Sequence, residues 1–134
     1  MKTLNLKSTV LFLLASSLFF VSCKKDKDEP APATIDGTWE GKYGSGNDEP
    51  TAFFGFVIKN DGTFLVSDEQ GSPASGTGTW TMTGNTFKGT YSYTAFPIIK
   101  YSVEASFNAA EGKLQGSWGI GATPDDGSFV MTKK

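Results

Sequence analysis

The sequence predicts an all-β protein, a small antiparallel up-and-down barrel of eight strands, on three observations. From residue 36 onward turn signals punctuate the chain at short intervals, apolar and polar residues alternate with period two between them, and glycines fall on the apolar side of that alternation. Residues 36–134, about a hundred, suffice for one small domain and not two.

The elements follow in order. Turns stand at Asn60-Asp61-Gly62, Gly84-Asn85, Ala109-Ala110-Glu111-Gly112 and Asp125-Asp126-Gly127, with looser loops over Gly44 to Pro50, Asp68 to Pro73 and Ala95 to Pro97, so seven connections make eight strands. Strand one turns Trp39, Gly41 and Tyr43 inward, strand two Phe54, Phe56 and Ile58, strand three Phe64 and Val66, and strand four Gly78, Trp80 and Met82. Strand five contributes Phe87, Gly89, Tyr91 and Tyr93, strand six Tyr101, Val103, Ala105 and Phe107, strand seven Leu114, Gly116 and Trp118, and strand eight Phe129 and Met131. Residues between them, such as Glu40, Lys42, Thr79, Lys88, Glu104 and Gln115, face water, and Phe53, Leu65 and Val130 point outward with them.

No strand needs a second buried face, which disfavours a sheet covered by helices. One-faced strands joined in sequence are satisfied by closing the sheet on itself, since closure removes both edges. A two-sheet sandwich of the same strands is the alternative. Gly41, Gly78, Gly89 and Gly116 favour closure, because a narrow coiled barrel needs small inward residues to bend and to fit large ones opposite, and in a flat sandwich they would be holes.

Ahead of this domain, Lys2 and Lys7 precede an uncharged stretch from Val10 to Val21 and the small Ser22, the layout of a secretory signal peptide over residues 1–22. As a membrane span the stretch is short of the roughly 20 apolar residues needed. Cys23 is the only cysteine and the chain has no histidine, which closes the disulfide and metal-site readings of that thiol. The ending Phe20-Val21-Ser22-Cys23 resembles the lipobox of bacterial lipoproteins. The resemblance implies that Cys23 takes a diacylglyceryl group, becomes the first mature residue and is N-acylated, with palmitate-like chains that together anchor the protein in a membrane. Residues 23–35 then form the lipidated cysteine and a solvated tether, mixing both charges at Lys24 to Glu29 and prolines at Pro30 and Pro32. The charged block also resembles the export tag of Bacteroidota lipoproteins. An outer-membrane location is therefore expected, with the periplasmic face and the cell surface both open.

Charge narrows the function. Removing residues 1–22 takes away two of twelve lysines and leaves ten against fourteen Asp plus Glu, a net charge of minus four. All the basic residues are lysine, so no guanidinium fork can capture a phosphate or carboxylate, and no basic surface suited to nucleic acid is expected. Without histidine or arginine a general acid or base would have to be Asp, Glu, Lys or Tyr. Glu40 and Glu104 alternate outward and the remaining carboxylates fall mainly in turns, so no catalytic residues, no metal, no cofactor and no enzyme are expected.

Gly37-Thr38-Trp39 opens the first strand, and G-x-W there resembles the signature of the calycins, lipocalins and avidins among them. It recurs as Gly78-Thr79-Trp80 and Gly116-Ser117-Trp118. The resemblance covers roughly residues 36–134 and implies a barrel that holds a small molecule inside. It stops short of particular ligands. The lipocalin arginine that packs on the first tryptophan is absent, leaving Lys133 or Lys134, and the avidin groups that bond the ureido ring are replaced by Gly41 and Gly127.

The expected lining is Trp39, Tyr43, Trp80, Tyr91, Tyr93, Tyr101 and Trp118, three indoles and four phenols without charge, suited to a small, neutral hydrophobic or aromatic ligand. A barrel of this size can equally be filled by its own side chains. In that alternative the domain is a surface interaction scaffold whose function lies on loops such as Gly44 to Pro50 and Gly71 to Ser75.

Overall fold

The computed structural model describes residues 33–134; the expected signal peptide, Cys23 and the expected tether up to residue 32 lie outside the described residues. Eight strands follow one another: β1 (Gly37–Ser45), β2 (Ala52–Ile58), β3 (Thr63–Ser67), β4 (Gly76–Thr83), β5 (Thr86–Tyr93), β6 (Tyr101–Asn108), β7 (Lys113–Ile120) and β8 (Gly127–Lys133). Each pairs antiparallel with the next, and β8 returns to β1 with Gly41 opposite Met131 and Tyr43 opposite Phe129. That last pairing closes the sheet and sets the sandwich aside. There is no helix among the described residues.

The register keeps every inward residue opposite another inward residue. Trp39 faces Phe56, Phe64 faces Gly78, Trp80 faces Gly89 and Gly116 faces Phe129. A slip of one residue anywhere would send a whole apolar row to water, so this alternation fixes the pairing. The glycines explain how so small a barrel closes. A Cβ on Gly41, Gly78 or Gly116 would land on the carbonyl oxygen of Val130, Thr90 or Glu104 of the adjacent strand, so neighbouring backbone occupies the space a side chain would need. At Gly89 the vacated space is filled by the Phe64 ring, whose Cζ lies 2.9 Å from where a Cβ would stand.

The two ends differ. At one end the connections are the turns 59–62, 84–85 and 109–112; at the other they are the longer loops 46–51, 68–75, 94–100 and 121–126. Residues at the short-turn end have local devices. Asp61 accepts hydrogen bonds from the Thr63 amide at 2.9 Å and hydroxyl at 2.6 Å, and Gly84, at φ 58°, provides the left-handed first position that suits a two-residue hairpin turn. Bonding to Thr63, its side chain first, also holds the Asp61 carboxyl below its ordinary pKa.

The chain enters at this same end. Residues 33–35, assigned by composition to the tether, are bonded to the barrel: the Ala33 amide donates to the Ala109 carbonyl at 3.1 Å and the Trp39 indole N–H to the Ile35 carbonyl at 2.8 Å. Lys133, across from Trp39 in the β1–β8 ladder, extends its ammonium to the Thr34 carbonyl at 2.6 Å. Trp39 is fully buried beneath this strap, edge-on to Phe107. Above it Phe54, Phe56, Phe64, Phe87 and Phe129 fill the middle, nearly all edge to face.

Candidate functional site

The loop end is open. Inward positions nearest to it are Tyr43 at the end of β1, Tyr91 and Tyr93 at the end of β5, and Tyr101 at the start of β6, so all four tyrosines of the chain collect at one mouth. A phenol suits that place, because its ring can close the apolar core while its hydroxyl reaches toward water. With Trp118 they wall a solvent-open cleft of about 410 Å³. That is within the range of small-molecule sites, roughly 300–1,000 Å³. Phe54, buried and in contact with Tyr43 and Tyr91, forms its floor.

The rings hold one another in place. Tyr91 and Tyr101 are stacked, with centroids 5.2 Å apart and an interplanar angle of 16°, and Tyr93 stands edge-on to both. Opposite, Tyr43 meets Trp118 at 87°. The Trp118 indole N–H donates to the Gly44 carbonyl at 2.9 Å, so this residue offers the cleft its ring and not its donor. Burial pushes the Tyr91 phenol far above the ordinary range, with the Tyr93 phenol adding to it. Burial also raises Tyr93, to about 12, opposed by its bond with Tyr91 and reinforced by the negative charge of Asp68. These two phenols therefore stay protonated at neutral pH and act as neutral hydrogen-bonding groups.

Five of the seven expected lining residues are thus brought together: Tyr43, Tyr91, Tyr93, Tyr101 and Trp118. The other two are not. Trp39 lies sealed under the N-terminal strap, and Trp80 stacks on Phe87 near the closed end while its indole N–H bonds the Lys59 and Thr63 carbonyls at 2.9 and 3.1 Å. The repeated G-x-W therefore has two uses in one fold: it ties the closed end shut at Trp39 and Trp80 and furnishes one wall of the cleft at Trp118.

The lining also contains residues that sequence reasoning passed over: Asp68, Ser75, Ala95, Phe96 and Ile120. The wall expected to be free of charge carries one carboxylate, Asp68, whose Oδ1 accepts from the Ser75 hydroxyl at 2.9 Å. A signal for it existed. Asp68 continues the inward series Phe64, Val66 by one step past the end of β3, as Ala95 continues Tyr91, Tyr93 past the end of β5, while Ile120, the last residue of β7, continues Gly116, Trp118. Carrying the alternation to and just past each strand end would have found all three.

Gly127, where an avidin-like site would need an acidic side chain, has no room for one: a Cβ there would meet the Gly44 carbonyl and the Trp118 indole nitrogen. Comparison with known proteins adds no assignment, since no protein-family model and no curated protein matches the chain.

Proposed function

We propose that the protein is a membrane-anchored, non-enzymatic binding module, a lipocalin-like barrel that takes a small, mainly apolar molecule into the cleft at its loop end. The observation that carries this reading is the asymmetry of the interior: phenylalanines pack one half solid, while the tyrosine-lined half leaves about 410 Å³ open to solvent. A barrel that served only as a scaffold would gain stability by filling that space. The rest of the reading, a Cys23-linked lipid and an outer-membrane location on the periplasmic face or the cell surface, is supported by the lipobox-like residues 20–23.

Binding is tested by titrating the intact mature chain with phenylnaphthylamine, a neutral dye that fluoresces in apolar surroundings. A saturable signal is expected, and Ala95→Trp, which places a large ring in the cleft from an exposed rim position, should abolish it. No saturable signal, or an unchanged one in that variant, rejects the binding reading. The anchor is tested separately by intact mass: a lipid increment should be present on the mature chain and absent from Cys23→Ser.

One feature favours a second reading in which loops capture a protein partner. Phe96 is 59% exposed, Ile98 91% and Ile120 60%, all at the mouth. Cross-linking that survives Ala95→Trp but not Ile98→Asp would support that reading over a ligand in the cleft.

A further inference from the structure

Carboxylates are distributed unevenly over the barrel. The four loops at the open end carry Asp48, Glu49, Asp68, Glu69, Asp125 and Asp126 against one lysine, Lys100, a net charge of minus five. The rest of the described chain carries five carboxylates and six lysines, a net charge of plus one. Lys100 does little to offset the mouth, because its ammonium is drawn to the Ser92 hydroxyl at 2.9 Å on the outer wall. Within the cleft the division is complete: its lining has one carboxylate, Asp68, no cation, and the rings of four tyrosines and a tryptophan.

These features act in the same direction. Aromatic faces carry the negative end of the ring quadrupole and attract cations placed over them. A low-dielectric recess rimmed by one sign of charge concentrates the field within it. An anion meets repulsion from the rim with no lysine or arginine inside to receive it. A neutral guest gains buried area and what the phenols can hydrogen-bond, but nothing from the charge.

We propose, resting on the binding reading above, that the guest selected by this cleft is a small organic cation of the arylammonium or alkylammonium class. Its apolar part lies against the tyrosines and its charged head points toward Asp68. The phenols of Tyr91 and Tyr93 remain neutral beside it and do not need to ionise.

The test uses two probes of nearly the same shape, phenyltrimethylammonium and tert-butylbenzene, which differ by the positive charge, each titrated into the intact mature chain and followed by Trp118-sensitive fluorescence and calorimetry. The cation is expected to bind about tenfold more tightly despite its better hydration, a preference between those of exposed and fully desolvated cation–π contacts. The preference should shrink as salt is raised, and in Asp68→Asn, with its fold checked by circular dichroism, the cation should weaken several-fold more than tert-butylbenzene does. Asp125→Asn, on the rim and outside the lining, should have a smaller effect that salt removes. Equal or tighter binding of tert-butylbenzene overturns the charge selection and leaves the binding reading standing. If neither probe binds, both fall.

Discussion

The closed and open ends of the barrel share the same eight strands but use aromatic residues in opposite ways. At the closed end Trp39 is fully buried, both indole N–H groups of Trp39 and Trp80 are bonded to backbone carbonyls, and phenylalanine rings above them leave no opening. At the open end the rings are tyrosines, partly exposed apart from Tyr91, and they pack on one another around space instead of filling it. On the proposed binding reading, stability and recognition are separated along the barrel axis. A side chain near one pole contributes to holding the sheet closed, and the same chemistry near the other is free to meet a guest.

This separation breaks or holds under substitution. Phe64→Ala, in the solid half, should cost about 3–5 kcal/mol in denaturant unfolding, since the ring is fully buried and nothing can collapse into its place without disturbing Gly89. Tyr101→Ala, at the mouth, should cost less than half as much while reducing affinity for a cleft probe. Equal costs would mean that the two ends are one core.

Smaller in effect is Trp39→Phe, which leaves the Ile35 carbonyl without its indole donor and should destabilise by roughly 1–3 kcal/mol, read in the same titration, with cleft binding intact.

An alkaline titration separates the ends in another way. The Tyr91 and Tyr93 phenols have pKa values raised by burial, so the folded state holds protons that the unfolded chain gives up above about pH 10. Their contribution to stability is present below that value and is lost as pH climbs through about 12, where Tyr93 ionises, and beyond. Tyrosinate absorbance and probe release should therefore change together, before the phenylalanine half unfolds; Tyr93→Phe should delay the release.

The least effect is expected outside the barrel wall. Lys88 and Glu104 pair at 3.3 Å with both side chains about half exposed, and Lys88→Gln should alter stability by no more than about 0.5 kcal/mol. A larger loss there would show that the exterior contributes to closure.

Much of this architecture was legible in the chain. All eight strands, their inward faces and the closed sheet follow from period-two alternation and turn chemistry; the inward glycines favoured closure, although at Gly41, Gly78 and Gly116 it is neighbouring backbone, and only at Gly89 a large ring, that takes the space. The site was half legible. Tyr43, Tyr91, Tyr93, Tyr101 and Trp118 could be named as inward, but alternation says which face a residue takes and not which pole it lies near, so Trp39 and Trp80 were grouped with them. Placing residues along the axis needs the register between strands, which depends on loop lengths and shear. Asp68 was missed for a related reason: a carboxylate beside Glu69 and Gly71 resembles any solvated turn until the β3 series is carried one step further.

The strap at residues 33–36 has a mechanical consequence. A pull applied through the N-terminal side of the chain is received by the Ala33–Ala109 bond, the Lys133 grip on Thr34 and the Trp39 indole, all at the pole away from the cleft. If the protein is anchored and binds as proposed, load and exchange fall at opposite poles. On the proposed anchoring, a pull would therefore be taken up by the strap, and the cleft at the other pole would stay clear for a guest.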